Sequence, residues 1–176
     1  MDTLELKTYP DPCLRIKTKP VSEFNKDIRD ITKSMSDLMY VSQGIGLAAT
    51  QVGLGLRVLV IDVGEGRKTF INPQVLERSR KKSRLEEGCL SLPGVTVSVL
   101  RPAEVKVRAQ DENGEYFMAK YDGITATALQ HEMDHLDGRL LIDYLDPVRK
   151  FFAKRKLTRI KNLGGGGKSC QVVCHA

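Results

Sequence analysis

The stretch QHEMDHLDG, residues 130–138, places two histidines four positions apart, with a glutamate directly after the first. On an α-helix, residues four apart lie on one face, so His131 and His135 would point at a single ion. Ile124 and Ala128 share that face, which predicts that the histidines lie on a buried stripe. Asp122-Gly123 before this segment and Gly138 after it are typical of the two ends of a helix.

Two buried imidazoles beside a carboxylate can be explained in two ways. A histidine on an apolar helix face is usually a hydrogen-bonded core residue, and HExxH strings also arise by chance. Desolvating His131, His135 and Glu132 without a partner is costly, however, whereas a divalent ion would satisfy all of them. The pattern alone leaves both interpretations open, and burial of the pair favours a metal.

The composition is that of one globular domain. The chain has 176 residues, which is enough for one well-packed core and short for two. It contains no apolar run of membrane-spanning length and no pattern of a cleaved leader, so we expect a cytoplasmic protein. In that reducing compartment we expect free or metal-bound thiols at the four cysteines, which are Cys13, Cys89, Cys170 and Cys174.

The net charge of +6 comes largely from two basic clusters. ERSRKKSR, residues 77–84, is predicted to be a solvated loop. VRKFFAKRKLTRIK, residues 148–161, carries seven Lys or Arg and no acidic residue. Such a helix could bind a polyanion, or it could simply keep the protein in solution.

The pattern along the chain predicts a mixed α+β fold. Residues 22–42 show apolar side chains every three or four positions, which indicates a helix. LRVLVIDV (56–63) and KTFINPQVL (68–76) are β-branched runs typical of strands. Residues 103–121 alternate around Glu112-Asn113-Gly114, which predicts a β-hairpin.

The identity of the third metal ligand would distinguish between the possible classes of metal-dependent enzyme. After Glu132 the chain contains no glutamate, and position 141 is a leucine, so the ligand patterns of thermolysin-like and astacin-like peptidases are both absent. Asp143 and Asp146 follow the helix closely, and their reach back to its first turn is doubtful. His175 lies near the C-terminal end and is a weaker candidate.

Cys89 is the better third ligand. It lies in LEEGCLSLPG (85–94), a Gly-flanked stretch predicted at the start of a strand, and an ion would stabilise its thiolate. Cys89, His131 and His135 would leave the fourth tetrahedral position to water, which is the arrangement of a hydrolytic site.

A glycine-rich stretch, GIGLAATQVG at 44–53, adds a candidate binding element. Gly44 and Gly46 permit a close backbone approach, and the Gln51 amide could donate to an oxyanion. A stretch of small residues is, by itself, more often a matter of packing than a site.

Together, GIGLAATQ (44–51), EGCLS (87–91) and QHEMDHLDG (130–138) resemble the three signature motifs of the bacterial peptide deformylases, in the same order and at similar separations. YPDPCLR (9–15) resembles the family's N-terminal stretch, so the resemblance covers about residues 3–150. It implies an α+β fold of mostly antiparallel strands packed around a central metal-binding HExxH helix, with an N-terminal and a C-terminal helix. It also implies removal of the formyl group from the N-terminal methionine of new polypeptides, with release of formate.

The resemblance assigns roles to individual residues. It makes Cys89, His131 and His135 the metal ligands and Glu132 the general base and acid for attack by metal-bound water. It makes the Gln51 side chain and the Leu90 backbone N–H the stabilisers of the oxyanion. The substrate would be bound at Gly44, Ile45, Gly46, Leu47, Thr127 and His131.

The resemblance also implies a cofactor and partners. The expected metal is Fe(II), with Zn(II), Ni(II) or Co(II) as substitutes, because one thiolate and two imidazoles accept all of these ions. The partners would be nascent formyl-methionyl polypeptides and, through a basic C-terminal helix at about 147–162, the ribosome. Where the family would show a bulkier aliphatic residue in the methionine pocket, this chain has Thr127, whose hydroxyl could return to the backbone.

The expected organisation is a single catalytic domain over residues 1–163 and a Gly-rich flexible tail over 164–176. Cys170, Cys174 and His175 in that tail could bind a stray metal. Two other classes of function stay open. One is a metallopeptidase with an aspartate as third ligand, and the other is an RNA-binding domain with a structural zinc.

Overall fold

The computed structural model describes residues 4–162. Three α-helices and seven strands are joined by short 3-10 helices at Pro12–Arg15, Ala49–Val52 and Leu141–Tyr144. In chain order the elements are α1 (Lys26–Val41), β1 (Gly46–Ala48), β2 (Val58–Ile61), β3 (Lys68–Arg78), β4 (Lys82–Gly88), β5 (Thr96–Pro102), β6 (Glu104–Gln110), β7 (Tyr116–Asp122), α2 (Gly123–Leu136) and α3 (Pro147–Asn162). None of the helices in this part of the chain has the length and apolar character that crossing a membrane requires.

The strands form two antiparallel sheets. The larger has the order β1-β2-β3-β6-β7, and the smaller consists of β4 and β5. The predicted hairpin is present as β6 and β7, with Gly114 at a φ of 87° in its turn. The Asp111 carboxylate accepts from the Asn113 and Glu115 backbone N–H groups, which stabilises that turn. The large sheet therefore has β1 at one edge and β7 at the other.

α1 covers one face of the large sheet. It begins after Asn25, whose side chain accepts from two backbone N–H groups of the first turn, so the helix starts later than the predicted residue 22. Its buried stripe of Ile28, Met35 and Met39 packs in one cluster with Val58 and Val60 of β2. The apolar residues that predicted the helix are thus the ones that contact the sheet.

α2 covers the opposite face. Leu59 and Ile61 alternate with the β2 residues that contact α1, and they share a second core cluster with Leu129, Met133 and Leu136 of α2. The whole of β2 is buried, because both faces of the sheet are covered. This packing places the HExxH segment, which α2 carries, inside the core.

α3 packs on the small sheet. Ala153 and Leu157, its two buried residues, share a third cluster with Val97 and Val99 of β5. The division into a domain over 1–163 and a tail over 164–176 stays a prediction. The tail, with Cys170, Cys174 and His175, lies outside the described residues.

Candidate metal centre

Three potential metal ligands converge between α2 and the end of β4. Cys89, His131 and His135 are 2%, 8% and 1% exposed. Their ligand atoms all lie within 4.8 Å of one another, and Cys89 Sγ is 3.2 Å from His135 Nε2. Cys89 directly follows β4, which ends at Gly88, so its predicted place at the start of a strand is wrong. The thiol reaches the helix because the small sheet ends beside α2.

The orientation of His131 is set by a buried carboxylate. His131 Nδ1 lies 3.0 Å from Glu87 Oε2, which leaves Nε2 of the same ring for a metal. Glu87 in turn accepts from Arg101 at 2.6 and 2.9 Å. Burial alone would raise the pKa of Glu87, but the hydrogen bonds from His131 and Arg101 outweigh it and lower the pKa. The ionised Glu87 carboxylate therefore holds the His131 ring in position.

Arg101 extends this network to the far end of α2. Its Nη1 lies 2.9 Å from Asp134 Oδ2, and the Tyr144 hydroxyl donates to the same oxygen at 2.7 Å. Arg101 is only 5% exposed, and two carboxylates balance its charge. Sequence reasoning missed the roles of Glu87 and Arg101. Glu87 could have been suspected from its place two residues before Cys89, whereas Arg101 carries no local signal.

Glu132 lies beside the ligands with an unsatisfied oxygen. The buried side-chain atoms without a hydrogen-bond partner in the described chain are Glu132 Oε2 and His135 Nδ1, both from the HExxH segment. Burial, helped by the charge of Glu87, raises the pKa of Glu132 to about 7. Burial and the nearby His131 hold the pKa of His135 well below its usual value, so its ring is neutral. The three ligand atoms and the unpaired Glu132 oxygen fit a divalent cation with water beside it, because that oxygen can accept a hydrogen bond from the water.

The glycine-rich stretch lies against the same carboxylate. A Cβ on Gly46 would lie 2.6 Å from Glu132 Oε1, and one on Gly44 would lie 2.7 Å from Leu90 Cδ1. A side chain at either position would therefore force its neighbour, Glu132 or Leu90, to shift. The Gln51 amide is held in place as well. Its Oε1 accepts from Ala48 N–H at 2.8 Å, and its Nε2 lies 3.2 Å from Ser91 Oγ and 3.7 Å from Cys89 Sγ.

These groups open into one cleft. It is lined by Ile45, Gly46, Gln51, Glu87, Gly88, Cys89, Leu90, Thr127, Ala128, His131 and Glu132. The Thr127 hydroxyl returns to Gly123 O at 3.1 Å, so its methyl group is left for the cleft wall. Leu47 is fully buried against α1, so its side chain faces away from the cleft and only its main chain could meet a ligand.

The aspartates considered as alternative ligands are engaged elsewhere. Asp143 binds Arg15 and Lys150, and it also accepts from Leu140 N–H at 2.9 Å. Asp146 accepts from Val148 and Arg149 N–H, each at 3.0 Å, at the start of α3. Neither belongs to the ligand cluster, which contains Cys89, His131 and His135 among the described residues.

A buried Cys-His-His set beside a carboxylate of raised pKa, on a helix packed against an antiparallel sheet, is the arrangement of a metal-dependent hydrolase. A model of the polypeptide deformylase family matches residues 3–151. Peptide deformylase 1 of Burkholderia multivorans is 43% identical over 164 residues, which are 92% of this chain and 91% of the relative.

Solved structures agree with this match. A peptide deformylase from Legionella pneumophila has a TM-score of 0.87 at 36% identity, covering 94% of this chain and 99% of that one. A peptide deformylase from Ehrlichia chaffeensis in complex with actinonin has a TM-score of 0.87 at 36% identity, covering 90% and 98%. The chain belongs to the polypeptide deformylase family, which confirms the predicted family and α+β fold.

Proposed function

We propose that Cys89, His131, His135 and Glu132 carry out the reaction of this family. The chain is a metal-dependent hydrolase that removes the formyl group from the N-terminus of newly made polypeptides. The observation that carries the residue assignment is the convergence of three ligand atoms within 4.8 Å of one another, beside a glutamate with an unpaired oxygen.

Bound by Cys89, His131 and His135, a divalent cation would supply a lowered pKa for water and polarisation of the formyl oxygen. Glu132 accepts the proton of the attacking water and returns it to the leaving amine. A pKa of about 7 suits both transfers, because the group is ready to accept and to donate near neutral pH.

The developing oxyanion needs preorganised donors. We assign this role to the Gln51 side-chain N–H and the Leu90 backbone N–H. The support for Gln51 is that its Oε1 is tied to Ala48 N–H at 2.8 Å, which turns the amide nitrogen toward Cys89. A donor fixed before the reaction stabilises the transition state without a reorganisation cost.

The peptide substrate would bind as an added strand. β1 pairs with β2 on one side and has no second strand partner among the described residues, so its outer edge is open at Gly46, which lines the cleft. We propose that the main chain of Gly44, Ile45, Gly46 and Leu47 contacts the peptide along this edge. Main-chain pairing tolerates different sequences beyond the first residue. The formyl-methionine side chain would enter the apolar part of the cleft formed by Ile45, Thr127 and Ala128, next to His131.

The chain binds a divalent metal, and we propose that this metal is Fe(II), with Zn(II), Ni(II) or Co(II) as substitutes. A thiolate with two imidazoles suits all of these ions, so availability decides among them. Fe(II) bound to a thiolate should be sensitive to oxygen.

We also propose a cytoplasmic setting, in which the ribosome is a partner through α3. The support is the basic character of this helix, which exposes Phe151, Phe152 and most of its Lys and Arg residues. Phosphate binding by such a helix would depend on salt. Cosedimentation with ribosomes that is unchanged by truncation at Leu145, or that is insensitive to salt, would contradict this partner.

The deciding experiment is formate release from a formyl-methionyl tripeptide by protein purified anaerobically with Fe(II). Glu132→Ala and an N-acetyl peptide serve as matched controls. The assigned reaction is supported if the unmodified protein releases formate, the Glu132→Ala variant does not, and the N-acetyl peptide is not cleaved. Actinonin should inhibit the release, since the Ehrlichia chaffeensis relative binds that compound. No release with one bound metal per chain would refute it. Cleavage of internal peptide bonds would favour a peptidase.

A further inference from the structure

A rigid corner joins the two sheets on the side away from the cleft. β3 passes into β4 through residues 79–81, and β5 passes into β6 at Ala103. These two turns are bonded to each other, because Ser79 N–H donates to Glu104 O at 3.0 Å and Ala103 N–H donates to Lys81 O at 2.9 Å. The Ser79 hydroxyl donates to Lys81 O at 2.6 Å. The solvated loop predicted over residues 77–84 is therefore wrong for most of its length, because only residues 79–81 form the turn and the flanking residues belong to β3 and β4.

This turn and the strand ends beside it carry a concentrated positive charge. We call the five exposed cations here the basic corner; they are Arg78, Arg80, Lys81, Lys82 and Arg84. No acidic residue lies between Glu77 and Glu86, and the Glu77 carboxylate is occupied by Lys106 at 2.8 Å. Glu104, the exposed acid across the corner, is held to Ser79 through its backbone and forms no ion pair with the five cations in the described part of the chain. Within residues 4–162, none of the five cations forms an ion pair.

The outer face of α1 is different. There Lys26 pairs with Asp30 at 2.5 Å, and Lys33 pairs with Asp37 at 2.7 Å. Surface cations that serve only solubility can be neutralised by neighbouring carboxylates, as Lys26 and Lys33 are on α1. At the basic corner the positive charge is left for an external anion.

We propose that the basic corner is an RNA-contacting surface that binds phosphate groups of structured RNA without reading its sequence. Lys82 and Arg84 lie on the same face of β4, about 7 Å apart along the strand, so both can reach one phosphate backbone. Arg78, Arg80 and Arg84 can each bind a phosphate with two parallel N–H donors. Successive contacts of this kind release counterions, which is the main source of sequence-independent affinity.

The composition of the corner favours RNA over an anionic membrane. Surface-bound membrane segments insert large apolar side chains beside their cations. From Arg78 to Arg84, the residues between the cations are Ser79 and Ser83. The large apolar side chains exposed on the adjoining strand positions are Leu76 and Leu100, which are fewer than a membrane-inserting segment presents. Small hydroxyl residues suit contacts with phosphate and sugar instead.

The position of the corner leaves the catalytic cleft accessible. β4 runs from Lys82 at the corner to Gly88 in the cleft wall, a distance of about 20 Å. α3 packs on β5, and β5 pairs with β4, so the small sheet carries both basic segments. Two sites on one rigid support raise the affinity for a large polyanion above that of either alone.

The test uses a fluorescent RNA hairpin and the full chain, with dissociation constants measured by anisotropy between about 50 and 200 mM salt. The corner variant is Arg80→Gln/Lys81→Gln/Lys82→Gln, and the matched control is Lys26→Gln/Arg29→Gln/Lys33→Gln, which removes the same charge from α1. We expect the corner variant to bind at least about tenfold more weakly at low salt, with a slope of log K against log salt that is smaller by about 2 to 3.

The control variant should retain most of the affinity and the slope. Both variants should release formate from the tripeptide as the unmodified protein does, which shows that they are folded. The proposal is overturned if the corner variant keeps the original affinity and slope, or if both variants lose affinity equally, since only net charge would then matter. It is also overturned if the corner residues are needed for binding anionic phospholipid vesicles but not RNA.

Discussion

Helices α2 and α3 are similar in length, and their surroundings differ in almost every respect. α2 buries eleven of its 14 residues between the large sheet and the small one, and three of those residues are His131, Glu132 and His135. α3 buries two of its 16 residues and exposes most of its cations. The reaction needs a dry site in which each polar atom is held, whereas contact with a large anion needs exposed charge. Changes in the two helices should therefore affect different measurements.

The largest effect on activity should come from crowding the α2 glutamate. Gly46→Ala places a Cβ 2.6 Å from Glu132 Oε1, so the carboxylate must shift. We expect kcat for formate release to fall by about 100-fold or more, which is the typical contribution of a general base, the role that we propose for Glu132. Metal content should not change, because Gly46 is not a ligand. Gly55→Ala is the control, as nothing lies within 4 Å of its added Cβ. Full activity of Gly46→Ala would mean that Glu132 has room to move.

Removing a side chain from α2 should lower the free energy of unfolding more than removing one from α3. Leu129→Ala removes a fully buried side chain of α2 and should lower the free energy of unfolding by about 2–5 kcal/mol. Phe151→Ala removes a larger side chain of α3 that is 56% exposed, and it should change that free energy by no more than about 0.5 kcal/mol. Urea titration followed by circular dichroism measures both. Equal losses would show that Phe151 packs in the core.

A smaller effect is expected from the support behind His131. Glu87→Gln removes the charge that holds the imidazole, and metal affinity should fall by about 10- to 100-fold. The neighbouring Glu86 is exposed, so Glu86→Gln should leave the affinity unchanged. Competition with a chelator gives the two dissociation constants. If both variants hold the metal equally well, the 3.0 Å contact between Glu87 and His131 has no part in binding it.

The smallest effect on stability should come from the ion pairs of Asp143, which connect Lys150 of α3 and Arg15 to the 3-10 helix before α3. Burial would raise the pKa of Asp143, but Arg15 and Lys150 hold it below its ordinary value of 3.8. The folded state therefore binds this proton less readily than the unfolded state. The resulting stability is complete above the ordinary pKa and is lost as the pH falls through the lowered one.

We expect Asp143→Asn to cost about 1 kcal/mol at neutral pH, since these ion pairs are partly exposed, and less near about pH 3, which lies below the ordinary pKa of the carboxyl group. Asp37→Asn, in a more exposed pair on α1, should cost no more than about 0.5 kcal/mol at either pH. Urea midpoints at the two pH values test this. A cost that grows on acidification would contradict the lowered pKa.

Much of the site could be predicted because its signals are local. The spacing of His131 and His135 fixes their common helix face whatever surrounds it, and the turn at Glu112-Asn113-Gly114 specifies a hairpin by its own backbone preferences. Cys89 could be selected because the glutamate and histidine patterns of other metal enzymes are absent from the chain. The three motifs then identified the family.

The sequence by itself determined the family, the α+β class, and the helix that presents the two histidines, because these depend on side chains close together in the chain. Only the tertiary structure decided that Glu87 backs His131, which lies 44 positions away, and that Arg101 backs Glu87 from 14 positions away. It also decided that a side chain at Gly46 would displace Glu132, because the carboxylate that lies against Gly46 belongs to α2. Such contacts arise when separate elements pack around one core, and no local periodicity encodes that packing.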